Sequence, residues 1–296
     1  MEKYTIGIVG NGYVGQATRL FECPEIKCLT YDKDSSKCVP EGTSLKDLKE
    51  CDFVFVCVPT PMRPNGSCDL TIVKAAVKDL TRNGVRKNKI IIRSTVPVGT
   101  SEKLKVSFMP EFLTERNWQE DFYNNNHWIL GTENISAPDA FESENAGKLS
   151  HFVNKFYDFI LTAAKNKVIK NNAFTATTTK NAELIKYARN SFLAVKVSFF
   201  NEIEDFCLKS DMNYASVRKL TAIDTRIGLS HTEVPGPDGK RGYGGTCFPK
   251  DVHSLVHQMK KVKAKPIVTK AAQDRNEKID RPEKDWQNDK GRAVSE

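Results

Sequence analysis

The turn Gly10-Asn11-Gly12-Tyr13-Val14-Gly15, which follows an apolar run at Tyr4–Val9, constrains the fold more than any other feature of the chain. A G-x-G-x-x-G turn between a strand and a helix is typical of a dinucleotide-binding unit. Its first glycine permits the tight turn, the second lets a pyrophosphate approach the backbone at the helix N-terminus, and the third allows close helix–strand packing. We therefore expect Gly10, Gly12, Tyr13, Val14 and Gly15 to bind a dinucleotide.

Asp32 ends the second predicted strand, 17 residues after Gly15. An acidic side chain at this point can accept hydrogen bonds from the adenosine ribose, whereas a 2′-phosphate would meet its charge unfavourably. The sequence therefore favours NAD over NADP as the cofactor. Lys33 and Lys37 lie near enough to weaken that preference, and Lys37 is also a predicted cofactor contact.

Short apolar runs alternate with helical stretches through the first half of the chain. Such runs, bounded by turn signals, predict a parallel sheet covered on both faces by helices. The predicted strands are Tyr4–Val9, 27–31, 53–58, Ile90–Ile92 and 128–130, and the predicted helices include 73–80 and 146–161. We therefore predict an α/β fold with an N-terminal Rossmann domain, a doubly wound parallel sheet, over residues 1–174.

The pattern changes near Thr175, where a central all-helical domain is predicted over residues 175–275. Residues 181–208 contain no proline or glycine, and their apolar residues recur at helical spacing, which predicts one helix of about seven turns. A second helix at 213–221, a glycine- and proline-rich loop at 228–245 and further helix from Asp251 follow. The polar residues 276–296 are expected to form an exposed tail.

The apolar residues of the long helix point to more than one side, as Phe192, Val195, Phe199 and Phe200 illustrate. A helix that is apolar on several sides must be buried on several sides. We therefore expect a homodimer built on this helix.

Composition excludes several other classes of protein. The chain has 296 residues, a net charge of +8, 39% hydrophobic and 28% charged residues, which is ordinary for a globular protein. No apolar run is long enough to span a membrane, no signal peptide is visible, and the basic residues form no aromatic-interleaved patch for nucleic acid. None of the eight cysteines forms a Cys-x-x-Cys pair. We expect a cytoplasmic protein that binds neither membrane nor nucleic acid.

The same inventory argues against a metal site. His253 and His257 are four residues apart and could share a helix face, but no carboxylate or cysteine completes the ligand set. A packed or surface histidine pair is the simpler interpretation, so no metal is predicted.

Cys247 lies in the segment Gly242-Tyr243-Gly244-Gly245-Thr246-Cys247-Phe248-Pro249-Lys250-Asp251. The glycines would let a ligand reach the backbone and the sulfur, and a nearby cation and helix N-terminus would favour the thiolate. A thiolate can attack an aldehyde to give a thiohemiacetal, which can then lose a hydride. The alternative is a buried structural cysteine after a glycine-rich loop, which the surrounding glycines and charges make the less favoured interpretation.

Several ordered blocks make the chain resemble the UDP-glucose/GDP-mannose 6-dehydrogenase family, from about Lys3 to Asp280. The blocks are residues 10–15, 56–61, 93–99, 110–115, 182–190, 224–228 and 242–251. The resemblance implies an NAD-dependent oxidation of a nucleotide-linked hexose at C6 to the uronic acid, with UDP-glucose as the favoured substrate. It also implies a place in nucleotide-sugar metabolism and polysaccharide biosynthesis.

The resemblance assigns catalytic roles to six residues. Cys247 would be the nucleophile, Lys186 and Asn190 would stabilise oxyanion character at the C6 oxygen, and Asp251 with Thr95 would hold the catalytic water. Glu111 would act as the base for thioester hydrolysis. The further cofactor contacts that it implies are Pro59, Thr60, Thr95 and Glu115. The further substrate contacts are Phe112, Leu113, Tyr243, Gly244 and Arg226, the last reaching a neighbouring subunit's site.

Full-length relatives carry a second α/β domain that binds the nucleotide, so we expect this chain to be a short form without it. Two alternatives stay open. One is a nucleotide-binding or assembly protein that has lost turnover, which would not need Cys247, Lys186, Asn190 and Asp251. The other is a β-hydroxyacid dehydrogenase, which would need no cysteine in a glycine-rich loop.

Overall fold

The computed structural model describes residues 2–133, 135 and 150–296. The chain divides into two compact units. The first unit comprises Met1–Thr60 and Leu70–Lys186, and the second comprises Pro61–Asp69 and Tyr187–Glu296. Residues 146–149 of the helix predicted at 146–161 lie outside the described residues.

The first unit contains a seven-stranded sheet with the strand order β2-β1-β3-β4-β5-β6-β7. The strands are β1 (Tyr4–Val9), β2 (Ile26–Tyr31), β3 (Phe53–Val56), β4 (Ile90–Ile92), β5 (Ser107–Phe108), β6 (Trp128–Thr132) and β7 (Phe174–Thr178). Neighbouring strands are parallel except for β5 and β6, which are antiparallel. The predicted Rossmann-like sheet is confirmed, but it is mixed rather than wholly parallel.

The strands form because β-branched and aromatic residues fill them and helices cover both faces of the sheet. The covering helices are α1 (Tyr13–Arg19), α2 (Thr71–Arg82), α3 (Thr100–Leu104), α4 (Trp118–Tyr123) and α5 (His151–Lys165). On one face, Phe53 and Phe156 meet edge to face with ring centroids 5.1 Å apart. On the other, Val54 packs in a cluster with Val73 and Val77 of α2. This double cover explains why β3 and β4 are buried at every position.

The long predicted helix is confirmed as α6 (Thr179–Lys209), which starts directly after β7. Beyond it lie α7 (Tyr214–Thr221), α8 (Phe248–Lys261) and α9 (Ile267–Arg275). Asn213 caps α7, since its side chain accepts a hydrogen bond from the Ser216 amide at 2.9 Å. Pro249 lies in the first turn of α8, where its missing N–H costs no helical hydrogen bond.

The expectation of an exposed C-terminal tail is wrong. Trp286 is 3% exposed and Ala293 is 1% exposed. The tail also pairs with the segment around Met62, whose amide donates to the Ala293 carbonyl at 2.9 Å and whose carbonyl accepts from the Ser295 amide at 2.8 Å. The polar composition of the segment did not indicate this burial, because a single tryptophan and backbone hydrogen bonds anchor the segment. No helix among the described residues is both long and apolar enough to cross a membrane.

Candidate active site

The predicted cofactor residues follow the carboxyl ends of five neighbouring strands. The chain runs from β1 outward to β2 and then crosses back to β3, so the order of connection reverses between β1 and β3. In open α/β sheets, ligands bind outside the carboxyl ends of the strands at such a reversal. The glycine turn follows β1, Asp32 follows β2, Pro59 and Thr60 follow β3, Thr95 follows β4, and Glu115 follows β5.

The glycine turn has the geometry that a dinucleotide needs. Gly10 has φ of +96°, and a Cβ there would lie 2.6 Å from the Cys57 carbonyl oxygen. A Cβ on Gly15 would lie 1.9 Å from the Gly10 carbonyl oxygen, so both positions require glycine. A Cβ on Gly12, by contrast, would meet no described atom within 4 Å. The backbone there is open to a ligand, and the buried Asn11 Oδ1 has no described partner. These features fit a bound NAD.

Asp32 is tied to this turn. One carboxylate oxygen accepts a hydrogen bond from the Asn11 amide at 2.6 Å and the other accepts from the Asp34 amide at 2.9 Å. Each oxygen can accept a further bond, so a ribose hydroxyl can still donate to Asp32. Lys37 forms an ion pair with Asp34, with Nζ 3.4 Å from the carboxylate.

Lys186 and Glu111 form a buried ion pair in the first unit. Lys186 Nζ lies 2.7 Å from Glu111 Oε1 and donates to the Glu111 carbonyl oxygen at 2.6 Å. The two side chains are 2% and 4% exposed. Burial raises the pKa of Glu111, but the Lys186 ammonium and the Leu113 amide outweigh it and hold that pKa below its usual value. Glu111 is therefore ionised at neutral pH.

Arg93 is a site residue that sequence reasoning did not single out. Its side chain is 2% exposed, and its Nε and Nη1 have no partner among the described residues. Its charge adds to the forces that lower the pKa of Glu111. The sequence did carry a signal for it, since Arg93 is a lone arginine directly after the wholly apolar strand β4. A cation buried at such a position usually has an anionic neighbour.

Cys247 is the N-cap residue of α8 in the second unit, and it is half-buried. One helical turn later, Asp251 is 1% exposed. Asn190 Nδ2 donates to Asp251 Oδ2 at 2.6 Å, and Lys250 Nζ donates to Asp251 Oδ1 at 2.6 Å. Both oxygens are thus held, which fixes the plane of the carboxylate.

Lys250 supplies the cation that the sequence placed near Cys247. Its side chain is 13% exposed. Burial lowers the pKa of Lys250, but the Asp251 carboxylate and then Cys247 outweigh burial and keep that pKa above its usual value. Lys250 therefore stays protonated at neutral pH, and the Asp251 carboxylate in the same turn of α8 balances its charge.

The glycines before Cys247 do not all leave open space. A Cβ on Gly242 would lie 2.3 Å from Asn276 Oδ1, and one on Gly244 would lie 2.5 Å from the Arg281 guanidinium carbon. Tyr243 is 5% exposed, and its amide donates to Asn276 Oδ1 at 2.8 Å. Among these three glycines, only Gly245 has space for a Cβ, which would meet no described atom within 4 Å. Sequence reasoning missed Asn276 and Arg281 because their packing is long-range.

The remaining predicted residues differ in their exposure. Thr95 is buried in the loop after β4, Phe112 and Leu113 are half-buried beside Glu111, and Pro59 and Glu115 are exposed. Arg226 is 89% exposed and pairs with Asp224 at 2.6 Å.

The histidine pair of α8 lies in the second unit. His253 pairs with Glu277, and no group of three potential metal ligands occurs among the residues that the structure describes.

Two family models match the chain. Residues 24–143 match the NAD binding domain of the UDP-glucose/GDP-mannose dehydrogenase family, and residues 180–278 match the central domain of the same family. The chain belongs to this family. The NAD cofactor predicted from the glycine turn and Asp32 agrees with this assignment.

Individual relatives support the same assignment. The UDP-glucose 6-dehydrogenase of Rhizobium meliloti is 33% identical over 219 residues, covering 69% of this chain and 45% of that protein. A UDP-glucose dehydrogenase structure from Pyrobaculum islandicum superposes with a TM-score of 0.73 at 25% identity, covering 92% of this chain and 67% of that one. A 3-hydroxyisobutyrate dehydrogenase from Mycobacterium tuberculosis, at 15% identity and a TM-score of 0.64, covers 93% of this chain and 92% of that one and shares the fold alone.

The chain is shorter than the curated relatives it matches, spanning between 29% and 59% of their length.

Proposed function

We propose that the chain is an NAD-dependent dehydrogenase that oxidises a nucleotide sugar at C6 to the uronic acid, with UDP-glucose as substrate and Cys247 as covalent nucleophile. The observation that carries the proposal is the start of α8. A half-buried thiol there precedes, by one turn, a buried carboxylate that Asn190 and Lys250 hold at 2.6 Å each. A structural cysteine would need no such arrangement of buried charge.

The first oxidation converts the C6 alcohol to an aldehyde. Two NAD molecules, bound one after the other, would each accept one hydride. In the first, the hydroxyl proton leaves towards Asp251 or a water that Asp251 and Thr95 position. Lys186 and Asn190, one helical turn apart on α6, stabilise the negative charge that develops on the C6 oxygen.

The second oxidation passes through the thiol. Cys247 Sγ attacks the aldehyde carbon and forms a C–S bond, and the carbonyl oxygen takes up the thiol proton to give a thiohemiacetal. Loss of the second hydride to the second NAD, with loss of the hydroxyl proton to the same acceptor as in the first step, leaves a thioester. Water then attacks the thioester carbon, Glu111 takes a proton from that water, and the C–S bond breaks to release the thiolate and the carboxylic acid. Because Lys186 and Leu113 lower the pKa of Glu111, Glu111 is in the basic form at neutral pH but is a weak base.

A homodimer through α6 is a further part of the proposal. Phe192, Phe199 and Phe206 are 66%, 53% and 62% exposed. They are spaced by seven residues, so they form one stripe along the helix. Aromatic side chains so exposed on one stripe are typical of a surface that another chain covers.

A cytoplasmic location also stays a prediction.

The experiment is NADH formation by the purified chain against a panel of nucleotide sugars, with the acid product quantified. We expect two NADH per sugar, with little free aldehyde, because the thiohemiacetal holds the intermediate. Cys247→Ser should lower acid formation at least about a thousandfold, roughly 4 kcal/mol on the barrier. Cys28→Ser is the matched control, since that thiol is buried in the aromatic core of the first unit.

Three results would count against the proposal. Acid formation by Cys247→Ser above a tenth of the unmodified rate would exclude covalent catalysis. One NADH per substrate, with an aldehyde or ketone as product, would favour the β-hydroxyacid dehydrogenase. No NADH with any nucleotide sugar would favour a binding or assembly protein.

A further inference from the structure

A cavity lies in the second unit, away from the face of α8 that holds Asp251. Its volume is about 430 Å³. His253 is the α8 residue in its wall. Because it comes two residues after Asp251, it points about 200° around the helix from that carboxylate. The cavity is therefore separate from the proposed catalytic cluster. Its polar and aromatic lining includes Arg63, His253, Glu277, Lys284, Trp286 and Gln287.

Backbone pairing builds this cavity. The turn around Met62 forms one wall and the C-terminal segment forms another, joined by the Met62 amide to the Ala293 carbonyl at 2.9 Å and the Ser295 amide to the Met62 carbonyl at 2.8 Å. Trp286 is 3% exposed, which anchors the segment between them. A cavity framed by paired backbone keeps its shape when a ligand is absent.

The single acidic residue in the lining, Glu277, is already paired with two basic side chains. Glu277 lies 2.6 Å from His253 Nε2 and 3.2 Å from Lys284 Nζ. Burial raises the pKa of Glu277, but hydrogen bonds from His253, Gln273 and Lys284, with electrostatic attraction to His253, lower it to about 2. Glu277 therefore stays ionised and orients the His253 and Lys284 side chains around it.

The two strong bases in the wall keep donors for a ligand. Among the described residues, Arg63 donates only to Asp69, at 3.0 Å, and Lys284 donates only to Glu277. Arginine has five N–H donors and lysine has three. Lys284 also has φ of 47°, a left-handed conformation that non-glycine residues seldom adopt and that is common at ligand sites. Such a pair of cations fits a phosphate.

The rest of the wall is apolar and partly aromatic. Met62, Pro64, Trp286 and Val294 line it. Trp286, which is 3% exposed, and these apolar side chains form a wall against which a planar ring can pack, and the Gln287 side chain can hydrogen-bond to the edge of a heterocycle. The volume lies in the lower part of the range for small-molecule sites, roughly 300 to 1,000 Å³. We propose that this cavity binds a mononucleotide, with the phosphate on Arg63 and Lys284 and the base beside Trp286.

The test is calorimetric titration of the chain with uridine 5′-monophosphate in saturating NAD, which keeps the nucleotide out of the Rossmann site. Uridine and inorganic phosphate are titrated separately. We expect the mononucleotide to bind at least ten times more tightly than either part. Lys284→Gln and Arg63→Gln should each weaken its binding at least tenfold. Lys261→Gln, which removes an exposed charge at the end of α8, is the matched control and should leave the Kd unchanged.

Two variants on different segments guard against a local folding defect. Circular dichroism and the thermal midpoint identify a variant that has lost its structure. Equal affinity for the mononucleotide in the unmodified chain and both folded variants would place the nucleotide elsewhere and overturn the proposal. So would binding no tighter than that of phosphate alone. The outcome does not depend on the proposed oxidation, because it is a binding measurement on the face of α8 opposite Asp251, and Cys247→Ser should bind the mononucleotide normally.

Discussion

Glu183 makes the stability of the first unit depend on pH. The side chain is 0% exposed, and its two oxygens accept hydrogen bonds from the Gly99 amide at 2.6 Å and the Ser101 amide at 2.8 Å. These amides belong to the start of α3. Burial, only partly offset by the hydrogen bonds from Ser101 and Gly99, raises the pKa of Glu183 from 4.5 to about 7.

The sign follows from which state holds the proton more tightly. Because the folded pKa is the higher one, the stabilisation is fully present below pH 4.5 and is lost as the pH rises to about 7. Each unit of pKa difference corresponds to about 1.4 kcal/mol. Through this group alone, the free energy of unfolding should therefore fall by about 2.5 kcal/mol between pH 5 and pH 8.

Glu183→Gln isolates this contribution. The amide has one oxygen, so either the Gly99 or the Ser101 N–H loses its acceptor, at a cost of about 1–3 kcal/mol that does not vary with pH. The free energy of unfolding of the unmodified chain, minus that of the variant, should still fall by about 2.5 kcal/mol from pH 5 to pH 8. Urea unfolding, followed by circular dichroism and by tryptophan fluorescence, measures it.

The control is Glu102→Gln, which removes a half-exposed carboxylate from the same short helix. Its effect on the free energy of unfolding should differ by less than about 1 kcal/mol between the two pH values, as expected for an exposed pair. A Glu183→Gln difference that is the same at pH 5 and pH 8 would refute the reasoning.

Two other predictions address the buried pair and the exposed stripe. Lys186→Met should lower the free energy of unfolding at pH 8 by about 3–5 kcal/mol, because it leaves the Glu111 carboxylate buried without its main counter-charge; an effect below about 1 kcal/mol in urea unfolding would contradict this. Phe199→Glu should convert a dimer at micromolar concentration to a monomer by light scattering, whereas Lys219→Glu, on exposed α7, should not. A monomeric unmodified chain would rule out the dimer.

Most of the sheet could be predicted from the sequence because its signals are local. The strand Tyr4–Val9 and the helix around residues 181–208 have patterns that their neighbours do not disturb. The predicted end of β3 at residue 58 was two residues too late, since the apolar run continues past the last paired position, Val56. The short strand β5 and its antiparallel pairing with β6 left no signal, because two residues carry no periodicity.

The tail shows where composition misleads. Residues 276–296 are polar on average, yet Arg281 is 3% exposed, with its guanidinium bound by Asp238 and Asp285. Burial of an arginine depends on partners supplied by the fold, and no local pattern predicts them. The glycine at 244 was interpreted as space for a substrate, whereas the structure fills that space with Arg281.

In the candidate site, too, the sequence could predict the spacing of residues along a helix but not their bonding partners. Helical periodicity places Lys186 and Asn190 one turn apart, and the sequence could therefore pair them. It could not show that each binds a different carboxylate, Glu111 at 75 residues' separation and Asp251 at 61. The consequence is chemical. Lys186 brings a charge that Glu111 already balances, whereas Asn190 is neutral and acts on Asp251 by orienting it. Substituting Lys186 therefore perturbs the charge of the site, and substituting Asn190 perturbs its geometry.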